Sequence, residues 1–180
     1  IEVLEKAKGA GSVSFDLAFA LGSAYVASGD TKRGGEYYEQ AASLNERCVP
    51  CLRQIAQIAE HERKKEKALS YLIKAKILEP ENPEVLFEFG RLCLEGDLLR
   101  DALPALEKAV QLRPENDRYA YVLAAAYVGK VRHKEAIAIF DRLVKKHPED
   151  PVLNYALGSV LCSVGPDLDR AENYLRKSIS

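Results

Sequence analysis

Apolar residues along the chain fall at helical spacing, and the pattern repeats every 34 residues. From residue 83 on, Leu86, Phe89, Gly90 and Cys93 form one stripe, and Ala102, Leu103, Leu106, Ala109 and Val110 form a second. Such i, i+3, i+4 spacing predicts two amphipathic helices per period. Two small-residue columns run through the repeats, Gly22, Ala56, Gly90, Ala124, Gly158 and Gly34, Ala68, Ala102, Ala136. Two large apolar columns accompany them, Leu21, Ile55, Phe89, Leu123, Leu157 and Tyr38, Leu72, Leu106, Phe140. Closely crossed antiparallel helices leave no room for a side chain larger than Ala, which gives the small columns their physical reason. Glycine is kept there although it costs about 1 kcal/mol relative to Ala inside a helix.

Turn signals punctuate the stripes. Ser28-Gly29-Asp30, Gly96-Asp97 and Gly165-Pro166-Asp167 separate the helices of a pair, and Pro80, Pro114 and Pro148 close the units. The spacing predicts ten helices in five antiparallel pairs, preceded by a half-unit from Ile1 to about Lys8, and no β-sheet. In that half-unit Leu4 and Ala7 fall on second-helix columns, and the closing turn runs from Lys8 to Ser14. Pro104 lies inside a second helix, where its ring opposes the carbonyl of Arg100, so a bend or a late helix start is expected there.

This arrangement resembles the tetratricopeptide (TPR) repeat family. The third unit carries the resemblance best: Leu86, Phe89-Gly90 and Cys93 on the first helix, Ala102, Leu106 and Ala109 on the second, and Pro114 at the close. The resemblance implies an all-α, right-handed TPR solenoid divided as 1–14 (second helix and closing turn of a preceding repeat), 15–48, 49–82, 83–116, 117–150 and 151–180. The family's frequent tryptophan is replaced by Ala18, Leu52, Leu86, Ala120 and Asn154, and the fifth unit has one extra residue before Ala171.

Composition narrows the function classes. Lys plus Arg number 26 against 27 Asp plus Glu, a net charge of -1 that gives no electrostatic footprint for nucleic acid or an anionic membrane. The longest nearly uncharged apolar run, Tyr119 to Gly129, is short of the roughly 18 residues of a membrane span. The absence of Met and the opening on Ile1 lead us to expect a piece of a longer protein, and the compartment expected is the cytoplasm. No phosphate-binding glycine loop, nucleophile elbow or complete H-E-x-x-H motif is present. A non-catalytic chain with no cofactor and no metal is therefore expected.

Individual polar residues have bland readings. His61, His133 and His147 fall at helix ends or turns and read as solvated groups rather than metal ligands. Cys48-Val49-Pro50-Cys51 lies where the chain turns into a helix. A structural or incidental pair is the main expectation, with a reversible disulfide and a metal site as the alternatives. Cys93 and Cys162 read as small buried hydrophobes. The turn cluster Glu62 to Lys67, and Lys130, Arg132, His133 and Lys134 two units on, read as a solvated edge favoured by the helix dipoles.

One surface column stands apart. Phe19, Arg53, Phe87, Tyr121 and Tyr155 are in register on the first helices, with Ser23, Gln57, Arg91, Ala125 and Ser159 four residues later. At 100° per residue both sets lie beside the core stripe. The TPR resemblance implies that this face lines a concave groove for a protein or peptide; the competing reading packs the rings between repeats. Arg53, Gln57, Arg91 and Arg118 resemble part of a carboxylate clamp, but Glu88 and Val122 interrupt it. The expectation is thus an apolar-anchored peptide or helix, its acidic groups oriented by Arg53 and Arg91, with Phe87 and Tyr121 as anchors. Two alternatives accompany this scaffold reading: a recognition arm of a larger multidomain enzyme, such as a glycosyltransferase or protease, and self-association through the array ends.

Overall fold

The apolar stripes fold as eleven α-helices, with no strand, among the residues that the computed structural model describes: 1–9, 13–165 and 167–179. The first six are α1 (Glu2–Gly9), α2 (Phe15–Ala27), α3 (Thr31–Leu44), α4 (Val49–His61), α5 (Lys65–Leu78) and α6 (Pro83–Glu95). The remaining five are α7 (Leu99–Leu112), α8 (Asp117–Gly129), α9 (His133–Lys146), α10 (Pro151–Val164) and α11 (Leu168–Lys177). Residues 10–12 of the expected first closing turn, Pro166 of the last turn, Ser180 and the side chain of Ala7 lie outside the described residues.

The chain divides into two compact units, 1–89 and 90–180, with the boundary inside α6. In the first unit, α2 crosses α3 so closely that a Cβ on Gly22 would stand 3.0 Å from the Tyr38 ring. Leu21, Tyr25 and Tyr37 form a cluster that takes in Leu4 of α1, and Val49, Leu52, Ala75 and Val85 form another. In the second unit the same crossing puts a Cβ on Gly90 within 2.7 Å of Leu106 and one on Gly158 within 2.8 Å of Leu175. Leu175 fills the large column one residue late, absorbing the insertion before Ala171. Such contacts would overpack the crossing if either glycine carried a side chain.

Two further columns emerge from the backbone. The first helices are capped in strict register: Ser14, Cys48, Asn116 and Asp150 each accept a backbone N–H of the first turn on the side chain, as does Asn82 from Glu84 and Val85. The turns inside the pairs place Gly29, Arg63, Asp97, Val131 and Gly165 in the left-handed region, with φ between 57° and 90°. That conformation ends one helix and starts the next within a few residues.

A tyrosine–glutamate contact also recurs. The Tyr25 and Tyr37 hydroxyls both donate to Glu5 Oε1 (2.8 and 2.9 Å), and Arg33 lies 4.4 Å over the Tyr25 ring. In the second unit Tyr127 donates to Glu107 (2.8 Å) beneath Arg132 (4.3 Å). Burial, and then this carboxylate, push the Tyr127 phenol up to about 12.

The late start expected at Pro104 does not occur, because α7 begins at Leu99 with Asp101 and Ala102 both donating to the Leu98 carbonyl (3.0 Å each). Pro104 and Arg100 lie on the exposed side, where a lost backbone bond costs least. Cys162 is exposed, not buried as expected, whereas Cys93 is buried.

Candidate functional site

The first-helix face is built differently in the two units. In the first, Phe19 is half-buried, its ring edge-on to Tyr38 at 5.5 Å and 6.1 Å from Phe15. The Ser23 hydroxyl donates to the Phe19 carbonyl (3.0 Å) and is also 2.9 Å from the Tyr38 hydroxyl. Phe87 is only 3% exposed, so it belongs to the core and not to an open shelf. The ring next to Glu88 is buried, and the Glu88 side chain is largely buried beside it.

That glutamate organises the polar part of the face. Arg53 donates to it through Nε (3.1 Å) and Nη2 (2.7 Å), and Gln57 Nε2 donates to the same carboxylate at 3.0 Å. The bidentate fork plus the amide is the geometry in which a guanidinium holds a carboxylate most strongly. Both arginines expected to orient a partner's acidic groups are paired within this chain: Arg53 holds Glu88, and Arg91 Nη1 lies 2.5 Å from Glu95 on its own helix.

In the second unit Tyr121 is half-buried, 5.8 Å from the Phe140 ring in an edge-on contact, and Tyr155 stands 61% exposed. Ala125 and Ser159 are half-buried beside them, and the Ser159 carbonyl accepts from Ser163 (3.0 Å). Tyr121 opens into a pocket of about 390 Å³ with Leu143, Val152 and Leu153 as its other apolar walls. Arg118, Asp117, His147 and Asp150 supply its polar rim. Asp117 Oδ2 accepts from Lys146 (2.7 Å) and His147 (2.8 Å), which together hold its carboxyl below the usual range. Val152 was not singled out in the sequence, although it stands one period after Arg118 and heads the next first helix.

Cys48 and Cys51 form a buried disulfide, so of the structural or incidental pair expected it is the structural reading that holds. It lies across the first turn of α4, buried against Ala18 and Ala41, with Phe19 packed on the same cluster. Among the described residues no group of three or more His, Cys, Asp or Glu could hold a metal ion, and no helix is long and apolar enough to cross a membrane. His61 and His133 lie at the end of α4 and the start of α9, and His133 Nδ1 is buried with no hydrogen-bond partner among the described residues.

Family models described as tetratricopeptide repeat match residues 15–48 and 94–160, together more than half of the chain. The chain belongs to the tetratricopeptide repeat family. Its fold is that of the TPR solenoids: YrrB, described as a TPR protein with an unusual peptide-binding site, matches with a TM-score of 0.86 at 16% identity, over 98% of this chain and 90% of that one. MamA from Desulfovibrio magneticus RS-1 matches with a TM-score of 0.84 at 21% identity, over 92% and 93% of the two chains. Among curated proteins, the protein O-mannosyl-transferase TMTC1 of Mus musculus is 28% identical over 171 residues, and that of Homo sapiens 26% over 166. Each alignment covers 90% of this chain but only 17% and 18% of those proteins. A TPR fold supports a protein–protein interaction scaffold.

Proposed function

We propose that this chain is a non-catalytic scaffold that binds a peptide or helix of a partner protein on its first-helix face. The observation that carries this is the pocket at Tyr121, the register residue at which apolar walls and a charged rim meet. An apolar side chain of the partner would enter between Tyr121 and Val152, with its backbone and polar groups near Arg118. The repeat boundaries used in this reading are 15–48, 49–82, 83–116, 117–150 and 151–180, after the half-unit 1–14. The disulfide favours an oxidising compartment over the cytoplasm expected from the sequence.

The test uses a displayed library of random dodecapeptides selected on the intact chain, followed by calorimetry with the consensus peptide. Tyr121→Ala is expected to weaken that peptide by about 2 kcal/mol, the effect of losing a hot-spot aromatic, at a temperature where circular dichroism shows the variant folded despite the lost packing on Phe140. Equal binding by the variant removes the pocket from the reading.

A second reading is favoured by the match to the O-mannosyl-transferases: the chain as the protein-recognition arm of a larger enzyme. In the intact protein, Tyr121→Ala would then lower transfer to protein acceptors while leaving transfer to short peptide acceptors in place.

A further inference from the structure

Arg53 and Gln57 on α4 present three N–H groups converging on one carboxylate, and the carboxylate they hold is the chain's own Glu88, from α6. The pair is not a loose surface contact: the Arg53 and Glu88 side chains are 27% and 13% exposed, and the residues are 35 apart in sequence. Arg53 and Gln57 belong to the two first-helix columns proposed for ligand binding, and Glu88 stands one residue after Phe87 of the same register. A peptide carboxylate approaching it meets donors already engaged and a second negative charge. Like-charge juxtaposition of this kind is a principal means by which an interface rejects a wrong partner.

We infer that Glu88 is a specificity-determining residue acting as a resident pseudo-ligand: it fills a carboxylate-shaped donor set and thereby closes the first unit to acidic peptides. This rests on the proposed use of the first-helix face, and it assigns that face a ligand class to exclude. The neutralised Arg53–Glu88 pair leaves the unit suited to apolar or uncharged segments. Removing the Glu88 carboxylate takes away the acceptor that the Arg53 fork and the Gln57 amide share, and a carboxylate from another molecule is the natural replacement for it.

The experiment compares the intact chain with Glu88→Ala, Glu88→Gln and the double variant Arg53→Ala/Glu88→Ala. The probe is a dye-labelled Gly-Ser heptapeptide ending in two aspartates with a free carboxyl terminus. Its amidated form and a form with asparagines and a free terminus separate side-chain from terminal carboxylates. Glu88→Ala is expected to bind the acidic probe about tenfold more tightly than the wild type, in a salt-sensitive manner, and the double variant to return to the wild-type level. Should Glu88→Ala fold poorly by circular dichroism, Glu88→Gln carries the same comparison with a gain of about threefold, since it keeps the shape and removes the charge. Wild-type binding equal to that of the variants overturns the inference, as does a gain that survives the loss of Arg53. Neither outcome depends on the pocket at Tyr121, so this proposal can fail while the binding function stands.

Discussion

Val131 holds a backbone conformation that β-branched residues avoid, φ 59°, with its side chain 73% exposed. It shares this turn column with Gly29 and Gly165, where the same conformation costs nothing, and with Arg63 and Asp97. Because the side chain makes so little contact, its removal loses little packing. Asparagine tolerates the left-handed region without glycine's extra unfolded-state entropy. Val131→Asn is therefore expected to raise stability by about 0.5–1 kcal/mol, read as a higher urea midpoint at unchanged slope. A lower midpoint would show that Val131 makes a stabilising contact. Phe87 illustrates the reverse situation. Its sequence register placed it with exposed rings, but burial makes it a core residue, so truncating it would act on stability before it acts on binding.

At the scale of a helix, Cys48 has two roles. It is bonded to Cys51, and its Sγ accepts the Cys51 backbone N–H at 3.1 Å, serving as the N-cap that Ser14, Asn82, Asn116 and Asp150 provide elsewhere. Both Cys48→Ser and Cys48→Ala break the disulfide, but only serine restores a capping oxygen. Serine is expected to be more stable than alanine by about 1 kcal/mol in denaturant titrations of the two variants. Equal stability would mean that the sulfur caps nothing of value. Reduction of the wild type should lower stability by no more than about 2 kcal/mol, because so short a loop restrains the unfolded chain weakly.

At the scale of the molecule, carboxylates at the helix ends set the response to acid, three through local partners and Asp117 by joining the start of α8 to the end of α9. Asp30 is held low by the Arg33 backbone N–H and then its side chain, Glu62 by Lys64, Asp117 by Lys146 and then His147, and Glu135 by Arg132. A folded-state pKa below the unfolded value means stability that is present above the ordinary carboxylate pKa of about 4 and lost as pH falls through the folded value. The melting temperature should hold from neutral pH to about pH 5 and decline below about pH 4. Asp117→Asn should be less stable than wild type at neutral pH, the difference shrinking as pH falls below the ordinary carboxylate value and through the lowered folded value; a difference that does not shrink in acid would assign the effect to packing. The helix pairs, their period and their glycine crossings were legible in the sequence, because each is fixed by residue size and spacing at contacts that recur every 34 residues. The capping and left-handed turn columns were equally periodic, but their residue types vary, from Ser to Cys and from Gly to Val, so chemistry alone did not reveal them. The surface was the least legible part. Whether Phe87 faces inward, whether Arg53 meets Glu88 or solvent, and which apolar walls enclose Tyr121 depend on rotation and packing between neighbouring helices. The helices and the side each buries follow from the amino-acid pattern alone, through the periodic cost of exposing apolar surface. Which polar groups on the remaining face are already satisfied depends on partners distant in sequence, as Glu88 is from Arg53, and so emerges only once the helices are packed.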